Sequence, residues 1–554
     1  MKSHITLFAA SALCAVLAGA SYDARAAFGL TTTANDYTID TGAGLVFKVQ
    51  RVRLSRAGIG DISSLIWHGV DVQGRSKGTH IASGFSGVYS GISAVSVVAE
   101  TPTADHIKVT VQTGGMTHYY VARRNDPAIY MGTHITAEPS VGEFRWITRL
   151  NSAYFTGVPP ESNLNGTTGA IESSDVFGTA DGQTRSKYYG NQRAFEYGLR
   201  GVTGSGIGVF MAYDNREGSS GGPFYRDIQN QSGADTELYN YMNSGHNQTE
   251  AYRMGFHGPY ALLFTDGSTP AKPDMSWVGP LGMTGFVGPE GRGGVALAGI
   301  AGRDTRFNYM VGFANSTAQY WAPANAADGS MARAGMLPGS YTMTVYKNEL
   351  AVDTRPVTIN AGATTPVGAL TIAGDPASTV AMWRIGEWDG SPKEFLNGDK
   401  VNAMHPSDVR MSYWTPPDYL VGTSNAATGF PAYQWKAING AMNVRFNLRS
   451  SQRSLASTYR VRIGITGAVA GARPQIRVNG WLSAVPPSSS QPSSRSLTVG
   501  SYRGNNAMFT YTIPASELLV GQNVLTIMPA SGSSGAMYLS PGYSYDAVDL
   551  IKTP

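Results

Sequence analysis

Apolar and polar residues alternate with a period of two in short runs that glycine cuts off, and this pattern recurs along most of the chain. Ile107, Val109 and Val111 take every second place. Gly114-Gly115 follows, then Tyr119 and Val121 resume the alternation, which predicts a hairpin. Ile129-x-Met131 and Ile207–Met211 predict further strands. A helix needs apolar residues at three- and four-residue spacing, and glycine inside one costs about 1 kcal/mol against alanine. With 67 glycines and 29 tyrosines, the chain suits short strands and tight turns, and disfavours a helical bundle, a coiled coil or a disordered chain.

At 554 residues the chain has room for roughly three or four domains. Lys and Arg number 42 against 38 Asp and Glu, a net charge of +4, and only 14% of residues are charged. That balance lacks the concentrated basic face nucleic acid requires, and it gives no reason to expect a membrane surface as partner. Lys2, the apolar run from Ile5 to Ala20 and the small-x-small site Ala24-Arg25-Ala26 predict a secretory signal removed after Ala26. The run is short for a membrane span, which needs about 20 apolar residues. Cys14, the one cysteine, lies inside it, with Leu13 where a lipobox wants a small residue. The mature chain is therefore expected to be secreted or periplasmic, free of disulfides, monomeric and stabilised by core size.

Three parts are expected after the signal. Residues 27–287 alternate strands with long polar connections, Ser162–Tyr189 and Asp214–Gly245, expected to lie across one concave face. Residues 288–373, with Gly294–Leu297 and Leu337–Tyr346 as turn and strand, suit a small immunoglobulin-like or fibronectin-like sandwich. Residues 374–554 carry strands at Val444–Leu448, Tyr459–Ile465, Ile476–Val478, Phe509–Ile513 and Val524–Met528 around the low-complexity loop Val485–Ser496, as in a jelly roll.

Gly218-Ser219-Ser220-Gly221-Gly222 satisfies G-x-S-x-G, but no amphipathic helix follows to make a nucleophile elbow. Neither a zinc motif nor a phosphate loop occurs. Glu143, Glu217 and Glu250 are available for a glycosidase pair, whose separation a sequence does not give. Arg145 and Arg149 are four apart and face one side of a strand, beside an aromatic. Lys187 lies next to Tyr188 and Tyr189. Tyr239 and Tyr241 alternate onto one face, with His246 after the turn. This set suits β-elimination on a uronic acid. An Arg binds the carboxylate and offsets the charge that grows when the C5 proton leaves. A Lys whose ammonium is disfavoured by cationic neighbours and burial serves as base. Tyr or His protonates the departing oxygen at C4.

The stretches Phe144–Leu150, Gln183–Tyr189, Ser219–Ile228 and Tyr239–Tyr260, with Gly386–Asn397 and Met404–Asp408 further on, resemble the rhamnogalacturonan lyases of polysaccharide lyase family 4. The resemblance implies an all-β chain: a large N-terminal β-sandwich (supersandwich) carrying catalysis, a fibronectin type III-like sandwich and a C-terminal jelly-roll carbohydrate-binding-like module. It implies an endo-acting enzyme that cleaves the rhamnose–galacturonic acid backbone of the pectic polysaccharide rhamnogalacturonan I and leaves an unsaturated galacturonic acid. Lys187 would be the base, and His246 the proton donor or charge stabiliser. Arg145 and Arg149 would bind carboxylates, and Tyr239 and Tyr241 would position the sugars. His257 competes for the His role and ranks behind His246, as a residue behind the site. No cofactor is implied for catalysis. A structural calcium in the C-terminal module has Asp546 and Asp549 as candidates. Two other readings stay open, a secreted carbohydrate-binding protein without activity and an esterase using Ser220.

Overall fold

A computed structural model of the chain describes residues 27–82, 95–137, 143–196, 198–244, 246, 250–492, 495–501 and 505–554. The signal segment and Cys14 lie outside the described residues, as does Gly245. The expected hairpin forms: Thr113 pairs with Met116 across Gly114-Gly115, and the register runs back to His106 opposite Arg123. The strands foreseen at Ile129 and Ile207 join the same seven-stranded sheet as Ala128–Ile135 and Ile207–Tyr213.

The first of the three parts holds four sheets, of five, seven, four and three strands. The four-stranded sheet runs in the order Asn230–Ser232, Asp235–Ser244, Glu143–Asn151, His80–Ala82. Its two long strands pair antiparallel, with Arg145 opposite Tyr241, Ile147 opposite Tyr239 and Arg149 opposite Glu237. Side chains alternate across a strand, so these six share one face. The other face supplies Phe144, Trp146, Leu150, Leu238 and Met242 to the main core, where they meet Tyr120, Met131 and Leu262 of the seven-stranded sheet. Burying one face in this way fixes the register, because a one-residue slip would carry the arginines into the core.

Beyond it, strands Gly339–Lys347 and Leu350–Ile359 pair antiparallel in a four-stranded sheet over a second core. The last part holds two five-stranded sheets around a third core, and every strand expected there is present. The chain is all-β, as expected, and the helices among the described residues are no longer than six residues. One expectation fails in detail. The two connections read as long loops carry strands Gly169–Glu172, Val176–Gly178 and Thr184–Arg185, and Asn230–Ser232 and Asp235–Ser244. Asp235–Ser244 reads as polar because its inner face carries Asn240 and its outer face Glu237, both buried.

Candidate active site

The outer face of the four-stranded sheet is covered by the segments that follow Ser162 and Asp214. Ile147, Tyr239 and Tyr241 on the sheet pack with Val176, Tyr188 and Tyr189 from the first segment and Tyr225 and Ile228 from the second. The Tyr239 and Tyr241 rings stack at 5.9 Å with 23° between planes. Burial pushes the Tyr239 phenol up to about 12, although Arg149 and Arg145 pull the other way.

His246 sits just past the end of the Asp235–Ser244 strand, and its ring is held on both sides. Nδ1 lies 2.9 Å from Asp227 Oδ2 and 3.0 Å from Ser244 Oγ. Nε2 lies 2.9 Å from the Tyr188 hydroxyl and 3.3 Å from Glu143 Oε1. Burial alone would lower the imidazole's pKa, but the Asp227 and Glu143 carboxylates outweigh it and hold it above its usual value. Asp227 is buried, which would raise its carboxyl. The imidazolium charge, with hydrogen bonds from His246, Ser244 and the Ile228 amide, keeps it lowered instead. The result is a half-buried His over a buried Asp: the imidazole Nδ1 donates to Asp227, leaving Nε2 to deliver or share a proton at Tyr188.

Arg145 donates to the Tyr241 hydroxyl and pairs with Glu143, with its guanidinium 5.2 Å from the Tyr241 ring. Arg149, on the same face as expected, is bound by Glu237, which also accepts from the Tyr239 hydroxyl. Lys187 Nζ lies 5.6 Å from the ring of its neighbour Tyr188, which in turn touches His246, and the lysine side chain is 26% exposed. Its charge environment differs from the one expected. The ammonium meets a carboxylate, Asp175 Oδ1 at 3.2 Å, and the guanidinium nearby, Arg495, binds the far oxygen of that carboxylate at 2.9 Å.

The remaining candidates lie elsewhere. His257 is buried, 3.0 Å from the Arg253 carbonyl and edge-on to Phe144, and burial pushes its imidazole down to about 4. It therefore stands behind the sheet as a neutral ring. The glycosidase trio is dispersed: Glu217 is clasped by Arg292 and Tyr320, and Glu250 accepts from the Gly221 amide, so only Glu143 faces His246. Ser220 is 1% exposed and no helix follows it, which removes the elbow reading. Asp549 accepts from Arg462, Arg384 and Trp388, and Asp546 from the amides of Asp389 and Gly390. Calcium takes six to eight oxygen ligands. Asp549, already bound to two guanidiniums and an indole, does not fit it. Sequence reasoning missed Asp175, Asp227 and Glu237, single carboxylates in polar runs. The one available signal was that Asp227 stands inside the Ser219–Ile228 block.

Three family models match in order. "Rhamnogalacturonan lyase B, N-terminal" covers residues 28–285, "Polysaccharide lyase family 4, domain II" residues 291–367, and "Polysaccharide lyase family 4, domain III" residues 381–550. The "Probable rhamnogalacturonate lyase A" of Aspergillus terreus is 42% identical over 96% of this chain and 97% of its own length. The "Rhamnogalacturonate lyase A" of Aspergillus aculeatus is 41% identical and that of Emericella nidulans 39%, each over 96% of this chain and 97% of its own length.

Proposed function

The chain belongs to polysaccharide lyase family 4, and on that premise we propose that it cleaves the rhamnogalacturonan I backbone between rhamnose and galacturonic acid by β-elimination on the outer face of the four-stranded sheet. It is a polysaccharide lyase with a pectic substrate. The observation that carries the site assignment is the convergence of Arg145, Lys187, Tyr188, Tyr241 and His246 over one sheet face.

In this reading the galacturonate carboxylate takes over Arg145 from Glu143, and the guanidinium offsets the charge that builds as C5 loses its proton. Arg149 extends the same cationic row, its charge shared with Glu237. Lys187 Nζ accepts the C5 proton. The freed electron pair forms the C4–C5 double bond, the C4–O bond breaks, and the rhamnose oxygen leaves. His246, kept cationic by Asp227, supplies the proton or hydrogen bond that this oxygen needs, directly or through the Tyr188 hydroxyl. Tyr241, through its hydroxyl on Arg145, and Tyr239, through its hydroxyl on Glu237, brace the arginines that meet the sugars. No step calls for a metal, since Arg145 and His246 carry the charge, so full activity is expected after dialysis against a chelator. Export, a monomeric state and an endo mode of attack belong to the same proposal.

The test is the absorbance of the unsaturated uronate formed from rhamnogalacturonan. Lys187→Ala should lower the rate by about 10²–10⁴-fold with the fold intact. Full activity in that variant would remove Lys187 from the mechanism. Binding of polymer by the unaltered protein without any depolymerisation would favour the carbohydrate-binding reading.

A further inference from the structure

The Met404–Asp408 motif belongs to the third domain, yet it reaches the segment that carries Lys187. Asp408 Oδ2 accepts from the Thr184 amide at 2.6 Å and from its hydroxyl at 2.8 Å. The His405 amide donates to Thr184 Oγ1 at 3.0 Å, and its ring Nε2 lies 3.1 Å from Glu172 Oε2. Arg495, also of the third domain, pairs through Nε with Glu172 Oε1 and reaches Asp175 Oδ2 with Nη1 at 2.9 Å. Asp175 Oδ1 in turn faces Lys187 Nζ at 3.2 Å.

We propose that the third domain is a working part of the active site: His405 and Asp408 fix the course of Glu172–Tyr189, and Arg495 is a positioning residue that acts on Lys187 through Asp175. The proposal rests on the assignment of Lys187 as base. One carboxylate shared between a guanidinium and an ammonium holds each less tightly than it would hold either alone. Arg495 thus takes part of the carboxylate charge that Lys187 would otherwise hold alone. The groups that face the amine are Asp175 and the Tyr188 ring. Beyond Tyr188 stand His246 and Glu143, and beyond Asp175 stand Arg495 and Glu172. Removing Arg495 leaves Asp175 wholly to Lys187 and stabilises the ammonium. Removing the Asp175 charge does the reverse.

The experiment measures kcat and KM against pH for the full chain, for Arg495→Gln, Arg495→Lys and Asp175→Asn, with Lys187→Ala as reference and thermal unfolding followed in parallel. Arg495→Gln should lose about tenfold in kcat near neutral pH, with KM held within about twofold. Its rising limb should move up by about one pH unit, so that activity recovers in alkali. Arg495→Lys should restore part of both. Asp175→Asn should move the limb to lower pH, and it decides alone if Arg495→Gln does not fold. Limbs unmoved in Arg495→Gln and Asp175→Asn, with Lys187→Ala inactive, would overturn the proposal. An active Lys187→Ala would instead sink the base assignment on which it rests.

Discussion

In the proposed reaction His246 can give a proton because Asp227 lies beneath it. Burial works against the imidazolium, and the buried carboxylate together with Glu143 reverses that. Asp227→Asn should therefore cost activity out of proportion to its distance from substrate, about 10²-fold or more in kcat, because Nε2 is then rarely protonated. The same pair also makes stability depend on pH. The imidazole's folded pKa is raised, so its contribution is fully present below the ordinary value of about 6.5 and is lost as pH rises through the raised value. The carboxyl's folded pKa is lowered, so its contribution is present above about 3.9 and is lost as pH falls through the lowered value. The melting difference between the unaltered protein and Asp227→Asn should accordingly be widest between about pH 4 and 6.5 and shrink on either side. A difference that fails to shrink both below about pH 4 and above about pH 6.5 would show that the pair is not ionised. Arg149 offers a contrast. Its guanidinium is bound by the buried Glu237, so Arg149→Ala should act first on stability, at about 3–5 kcal/mol, by leaving that carboxylate unpaired.

One turn supports the site from behind. Gly221 has φ +100°, and a Cβ there would lie 2.4 Å from Tyr225 Cδ2. The Tyr225 hydroxyl donates to Asp227 Oδ2 at 2.9 Å, so the Gly218–Gly222 motif buttresses the His–Asp pair. Gly221→Ala should strain the backbone, push Tyr225 aside and lower both stability and kcat, whereas Ser220→Ala should leave turnover intact. An assay in which Ser220→Ala is the damaging change would revive the esterase reading. At this scale much was legible in advance. Period-two alternation placed Arg145 with Arg149 and Tyr239 with Tyr241, and pairing of the two strands then joined the sets into one face. Asp227 was legible only as a member of the Ser219–Ile228 block, because a carboxylate that acts through a fold-back leaves no spacing to read. Glu237 was no clearer, since its partner is cross-strand, 88 residues earlier.

Sequence periodicity also says little about how domains lean on one another. Thr184 and Asp408 meet across 224 residues, and nothing in Gly386–Asn397 announces that Trp388 leaves its own domain's core. It packs instead with Val311, Val345 and Leu350 of the second domain, joined there by Ala547. Its indole donates to Asp549 at 3.0 Å, and Arg462, which binds the same carboxylate, lies 5.2 Å from its ring. Here the buried charge is balanced where two cores touch, so the second and third domains have reason to melt together. Trp388→Ala would remove about 3–5 kcal/mol of buried aromatic contact and leave the Asp549–Arg462 pair exposed on one side. Calorimetry should then resolve the second domain as a separate, earlier transition, while turnover well below it persists, because Lys187 is tied to the third domain through Asp408, His405 and Arg495 rather than through Trp388. A single undivided transition in Trp388→Ala would mean that the two cores are joined by something other than this indole.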